Sequence, residues 1–184
     1  MAPTDEQLQT SVVEFAALLK ALATDLGRCE TLLNEAPDVD DKQFYARVTI
    51  RCLFALIEGC TFRLKELTLR IGDHFSAEFS PSEIDLLTEK QFSPLPDNVR
   101  FAFSTFAKTC GVDFSLNTSG PGWEAFRQSV RTRNRLMHPK KHSDTLIAEN
   151  EMLAASMTSK WLVDNLTELF RQFGFHPTAN EWVH

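Results

Sequence analysis

Residues 123–140 read Trp-Glu-Ala-Phe-Arg-Gln-Ser-Val-Arg-Thr-Arg-Asn-Arg-Leu-Met-His-Pro-Lys, from Trp123 to Lys140. Trp123, Phe126, Val130 and Met137 recur at alternating steps of three and four, the spacing that lines apolar side chains along one side of a packed helix. Arg133 stands where the next apolar residue is due. A guanidinium in that place requires a carboxylate, an anion or a wet cleft, because an unpaired charge in a dry core is prohibitive. Asn134 adjoins it, and His138 follows Asn134 by one turn. Pro139 disfavours helical backbone at the residue before it, so the helix is predicted to end at Met137 with His138 projecting from its C-terminal end. Imidazole is the side chain that ordinarily exchanges protons near neutrality, which makes a partly exposed histidine here a candidate acid or base.

The chain has 184 residues, enough for one domain with a real core and too few for two comfortable ones. Its 43% apolar content and seven glycines predict a globular, helical protein rather than a disordered or β-rich one. Asp5 and Glu6 precede any apolar run, so no signal peptide is expected, and no stretch approaches the length of a membrane span. Cys29, Cys52, Cys60 and Cys110 show neither CxxC nor Cys/His ligand spacing, which fits reduced thiols in a cytoplasmic protein and predicts no metal site.

A net charge of −6 argues against a protein that coats nucleic acid non-specifically. Yet Arg127, Arg131, Arg133, Arg135, Lys140 and Lys141 place six of the nineteen strong bases within fifteen residues that contain no acid. A local basic patch on an acidic body suits one phosphate or a short strand better than an extended groove.

The rest of the chain divides around this stretch. Thr4, Asp5 and Glu6 predict the capped start of a first helix, whose seam Leu8, Val12, Phe15, Leu19, Leu22, Leu26, Cys29 and Leu33 runs to about Glu35. A second helix is predicted from about Lys42 to Ile71, with Ile50, Leu53, Ile57, Cys60, Leu64, Leu67 and Ile71 as its seam and Gly72 as its end. Its opposite face, with Phe44, Arg51, Ala55, Glu58, Phe62 and Leu69, is too apolar for a solvated surface and is expected to meet another element or subunit. Ser80, Pro81 and Glu83 predict a short helix to about Phe92, and Asp97 predicts the cap of another that carries Val99, Phe103, Phe106 and Cys110 before Gly111. Residues 112–122 read as loop. After the basic helix, a last one from about Glu149 holds Met152, Ala155, Ser159, Leu162, Leu166, Leu169 and Phe173 and stops at Gly174. The fold expected is all-α: a single domain over residues 1–184, an antiparallel bundle of four long helices with a short helical insertion at about 73–119 and a loose tail from about 175.

No GxxxxGK, GxGxxG, HExxH or GxSxG pattern occurs, which removes the usual sequence grounds for a nucleotide kinase, a Rossmann enzyme, a zinc protease or an α/β hydrolase. What remains is the basic helix. Arg133, Asn134 and His138 spell RNxxxH, followed by Pro139 and Lys140, near the end of a long helix in an all-α domain. This resembles the HEPN superfamily of small helical ribonucleases and nucleotide-binding domains. The resemblance covers the helical architecture over most of the chain, and its specific part is these residues. Arg171 and His176 repeat the spacing, but Gln172 stands where the asparagine should be and Gly174 interrupts the helix.

The resemblance implies a metal-independent endoribonuclease without cofactors that works as a symmetric dimer, its two motifs meeting at the interface, and that leaves a 2′,3′-cyclic phosphate and a 5′-hydroxyl. Such an enzyme is expected to be of toxin or defence type, with RNA as substrate and an antitoxin or regulatory protein as a further partner. Cleavage of RNA by its own 2′-hydroxyl needs a group to move protons and a cation against the phosphate. His138 suits the first and Arg133 the second, since a guanidinium holds phosphate oxygens with two parallel hydrogen bonds. Asn134 orients the imidazole or the phosphate. Arg131, Arg135, Lys140, Lys141 and Arg51 are the candidate substrate contacts, and Glu58 is placed to hold Arg133 when RNA is absent. The alternatives are a non-catalytic module of the same fold that binds a nucleotide, RNA or a partner protein, and a structural helical protein. In the last, Arg133 is a core-edge arginine satisfied by Glu58, His138 caps a helix, and Arg51 joins a salt bridge.

Overall fold

The computed structural model describes residues 5–173. Six helices follow one another: α1 (Asp5–Glu35), α2 (Val39–Phe75), α3 (Pro81–Leu87), α4 (Leu95–Cys110), α5 (Pro121–Met137) and α6 (Glu149–Gln172), with a single 3-10 turn, His142–Thr145, between the last two. No strand occurs among the described residues, and the fold is all-α as expected. Thr4, Gly174 and His176, together with the tail, lie outside the described residues.

α2 is the centre of the molecule. Each of its seam residues from Ile50 to Ile71 is buried, and α1, α4, α5 and α6 all pack on it. It begins earlier than expected because Asp38 caps it, the carboxylate accepting from the Asp41 N–H at 2.9 Å, while Asp40 and Asp41 favour the positive end of the helix dipole. It also ends later. Gly72 does not close α2 but lies inside it, and the helix stops at Ser76, whose φ of 55° is left-handed. The glycine serves close approach: the ring of Phe79 folds back to the place that a Cβ on residue 72 would occupy.

The segment expected as an insertion is part of the core. α3 starts with the predicted Ser80–Glu83 capping box but stops at Leu87 rather than near Phe92, because Glu89 turns the chain with a left-handed φ of 58°. α4 begins at Leu95 behind Pro94, with Asp97 in its first turn paired to Arg100, so Asp97 is not the cap. Its Val99, Ala102, Phe103, Phe106 and Ala107 are buried against α2. Phe106 reaches Phe170 of α6 at 6.1 Å between ring centroids, and Phe15 of α1 meets the same ring at 5.6 Å, so three helices share one aromatic joint. Full burial of each such side chain stabilises the fold by about 1.5–3 kcal/mol. No helix among the described residues is long and apolar enough to cross a membrane.

Candidate nucleic-acid site

α5 is fixed at both ends. At its start, the loop before it is held by Asn117, whose N–H donates to Asn165 Oδ1 at 3.1 Å and whose carbonyl accepts from Trp161 Nε1 at 2.8 Å. Trp161 then stacks on Phe126, 5.3 Å away with the rings 11° from parallel. Along its length the core-facing line is Trp123, Phe126, Ser129, Thr132 and Leu136. This corrects the expected seam at its second half: Met137 is 49% exposed and Val130 only partly covered. Two hydroxyls replace the missing apolar contacts. Ser129 Oγ and Thr158 Oγ1 share a hydrogen bond of 3.0 Å, and Thr132 Oγ1 donates to Glu151 Oε1 at 2.9 Å.

That rotation turns Arg133 away from α6 and toward α2. Its Nη2 lies 2.6 Å from Glu58 Oε1, its Nη1 donates to Asn134 Oδ1 at 3.2 Å, and its guanidinium carbon lies 6.0 Å from the centre of the Phe54 ring. The side chain keeps 29% of its surface in solvent. The charge required by its seam-like position is therefore met by a carboxylate and by water together. Arg133, Asn134 and Glu58 line one cavity of about 540 Å³, closed on its far side by Glu89, Phe92 and Asn98 from the α3–α4 region.

His138 caps the same helix: its N–H donates to Asn134 O at 3.2 Å, its backbone has left the helical region, and its side chain is exposed. It does not line the cavity. The turn after it is rigidly anchored. Asp144 accepts from the N–H groups of Lys140 and Lys141 at 2.9 and 3.2 Å, which, the Lys140 bond foremost, hold its carboxyl below the ordinary range against the opposing effect of desolvation. Gln43 of α2 exchanges two hydrogen bonds with the backbone of Ile147, at 2.9 and 2.8 Å.

Arg135 departs from its expected role as a substrate contact. Its guanidinium forks onto both oxygens of Glu151, at 2.7 and 2.8 Å, and donates to the carbonyls of Asp144 and Leu146. With its donors engaged by the fold, it sets the turn beyond His138. Arg131, Lys140 and Lys141 are exposed and have no ion-pair partner among the described residues. Arg51 is exposed on α2 and likewise unpaired there, since Glu58 faces Arg133. The α2 face with Phe44, Ala55 and Phe62 stays open to solvent, uncovered by any helix of its own chain. No group of three metal-ligating side chains occurs among the described residues.

Asn98, Glu89 and Phe92 give no signal in the sequence. They lie at the end of one short helix region and the start of the next, off the apolar seams, and only the fold brings them to Arg133. Neither protein-family models, nor curated proteins, nor solved structures match this chain.

Proposed function

We propose that this chain is a metal-independent endoribonuclease of toxin or defence type, related to the HEPN superfamily and acting in the cytoplasm as a homodimer. The observation that carries the reading is the placement of Arg133. It is a guanidinium at the wall of a cavity, held at 2.6 Å by a carboxylate that a phosphate can displace, on the helix that His138 ends. Arg133 then holds the non-bridging phosphate oxygens, and Asn134 steadies its second edge. The 2′-oxygen attacks phosphorus, the bond to the 5′-oxygen breaks, and the products are a 2′,3′-cyclic phosphate and a 5′-hydroxyl. One imidazole takes the proton from the 2′-hydroxyl and another delivers a proton to the departing 5′-oxygen. Two copies of His138 meet this requirement if the open α2 face around half-exposed Phe44 and exposed Met137 on α5 form the interface. Arg131, Lys140, Lys141 and Arg51 supply further contacts to the strand, and an antitoxin or regulatory protein restrains the activity.

A non-catalytic nucleotide- or RNA-binding module is the second reading, favoured by the fact that Glu58 already satisfies Arg133 and that His138 stands outside the cavity. Labelled RNA incubated with the protein in excess chelator separates them. Cleavage to cyclic-phosphate ends that is lost in His138→Ala and Arg133→Ala is the result expected of the enzyme. Binding of RNA that never leads to cleavage is the result expected of the module.

A further inference from the structure

The cavity beside Arg133 holds more than a phosphate clamp needs. Its volume of about 540 Å³ lies within the range of small-molecule sites, roughly 300–1,000 Å³. Two phenylalanines wall it: Phe92, 90% exposed, and Phe62, 49% exposed. Asn98 lines it, and its Oδ1 is buried, accepts no hydrogen bond from any described residue and comes within reach of a ligand once the carboxamide turns toward the cavity. A buried acceptor without a donor is rare in a folded protein and marks a place where a ligand N–H fits. The third feature is Glu89. Its left-handed backbone, φ 58°, is disfavoured for any residue with a side chain. Its carboxylate is the counter-ion of Lys65, a lysine only 3% exposed whose ammonium lies 3.6 Å away.

We infer that this cavity is a guanine-selective base pocket for the nucleotide adjoining the phosphate that Arg133 holds, an inference that rests on the RNA-cleaving reading above. Single-stranded RNA is read by stacking of an unpaired base on aromatic rings and by hydrogen bonds to its edge. Phe92 and Phe62 supply the rings. The Asn98 carboxamide offers an acceptor and a donor side by side, the complement of the N1–H and O6 of guanine. Uracil presents a similar pair, so Asn98 alone does not choose. Guanine is singled out by its 2-amino group, whose N–H meets the Glu89 carboxylate. Uracil has no such donor. Adenine and cytosine place their amino group on the carboxamide and leave Glu89 unmatched.

The test uses the full chain and mononucleotides. Guanosine, inosine, adenosine, cytidine and uridine monophosphates, each as the 3′- and the 5′-phosphate, are titrated by calorimetry. The guanosine form is expected to bind about tenfold more tightly than the others, the worth of one good edge contact. Inosine, which differs from guanosine only by the missing 2-amino group, is expected to fall to the level of uridine. Glu89→Ala removes the preference of guanosine over inosine, and Asn98→Ala weakens guanosine, inosine and uridine together. Phe92→Ala, a change at an exposed side chain that leaves folding intact, weakens all five by about tenfold through lost stacking. Equal binding of guanosine and inosine, or a preference of guanosine over inosine that survives Glu89→Ala, overturns the pocket. Oligonucleotides varied at one base then separate this inference from its foundation. Guanosine-selective binding without cleavage of any RNA keeps the pocket and refutes the ribonuclease, whereas cleavage indifferent to neighbouring bases keeps the ribonuclease and refutes the pocket.

Discussion

Glu58 of α2 and Arg133 of α5 meet at 2.6 Å across the mouth of the cavity, with 45% and 29% of their side-chain surfaces in solvent. An ion pair so exposed contributes less than about 1 kcal/mol to stability. It is strong enough to hold the guanidinium in one place and weak enough for a phosphate to displace the carboxylate.

Glu58→Gln is therefore expected to leave the urea midpoint nearly unchanged while tightening binding of a short RNA, since the competitor for Arg133 loses its charge. Fluorescence anisotropy with a labelled oligonucleotide measures the second effect. Weaker binding by the variant would show that Glu58 serves the substrate rather than standing in for it.

Arg135 is the contrasting case on the same helix. Its fork on Glu151 and its bonds to two carbonyls are partly buried, and Arg135→Ala takes the guanidinium from both carbonyls and leaves the carboxylate only Thr132 and the Ala148 N–H. A loss of about 2 kcal/mol is expected, as for other hydrogen bonds to charged groups. Arg133→Ala is expected to cost less than half of that and to lose RNA binding outright. Urea denaturation of the two variants measures this ordering, and equal losses would contradict it.

Acid stability carries the signature of Glu151. Burial pushes its carboxyl upward, but the Ala148 N–H, Arg135 and Thr132 outweigh that and hold it below the ordinary 4.5. A carboxyl lowered in the folded state stabilises the protein above its unfolded value. That contribution is lost as pH falls through the folded one. The unfolding free energy is thus expected to decline below about pH 4.5, and to decline less steeply in Glu151→Gln, which no longer titrates. Parallel acid limbs for wild type and variant would exclude Glu151 as a cause.

How far these features are legible in the sequence depends on where each partner lies. The α2 seam is visible because apolar spacing alone determines it, and all seven positions are buried. Arg133 is visible as the break in an apolar line, and Glu58 as a charge on a face otherwise too apolar. The true core line of α5 is hidden because Ser129 and Thr132 look solvated until Thr158 and Glu151, on another helix, satisfy them. For the same reason Arg135 resembles a substrate contact in the sequence: its acceptors come from the turn and helix beyond it. The far wall of the cavity has no sequence signal, because Glu89 and Asn98 belong to a helix end and a helix start that only packing on α2 brings opposite Arg133.

Two glycines test how tightly α5 is held. A Cβ on Gly122, in the first turn of α5, would come within 2.7 Å of Trp161 Cβ and 2.8 Å of its Cδ1, atoms near the backbone that cannot swing aside. Gly122→Ala is expected to cost about 2 kcal/mol by overpacking, and to lower RNA cleavage as well, because moving the start of α5 shifts Arg133 at its other end. Gly27 is the control. It lies on the exposed side of α1, and a methyl group added there would meet nothing within 4 Å, so Gly27→Ala is expected to stabilise the helix by about 0.5–1 kcal/mol. Thermal melts of both variants give the comparison. A Gly122→Ala protein as stable as Gly27→Ala would mean that α5 is free to slide against Trp161, and that the cavity wall formed by Arg133 is not fixed by this contact.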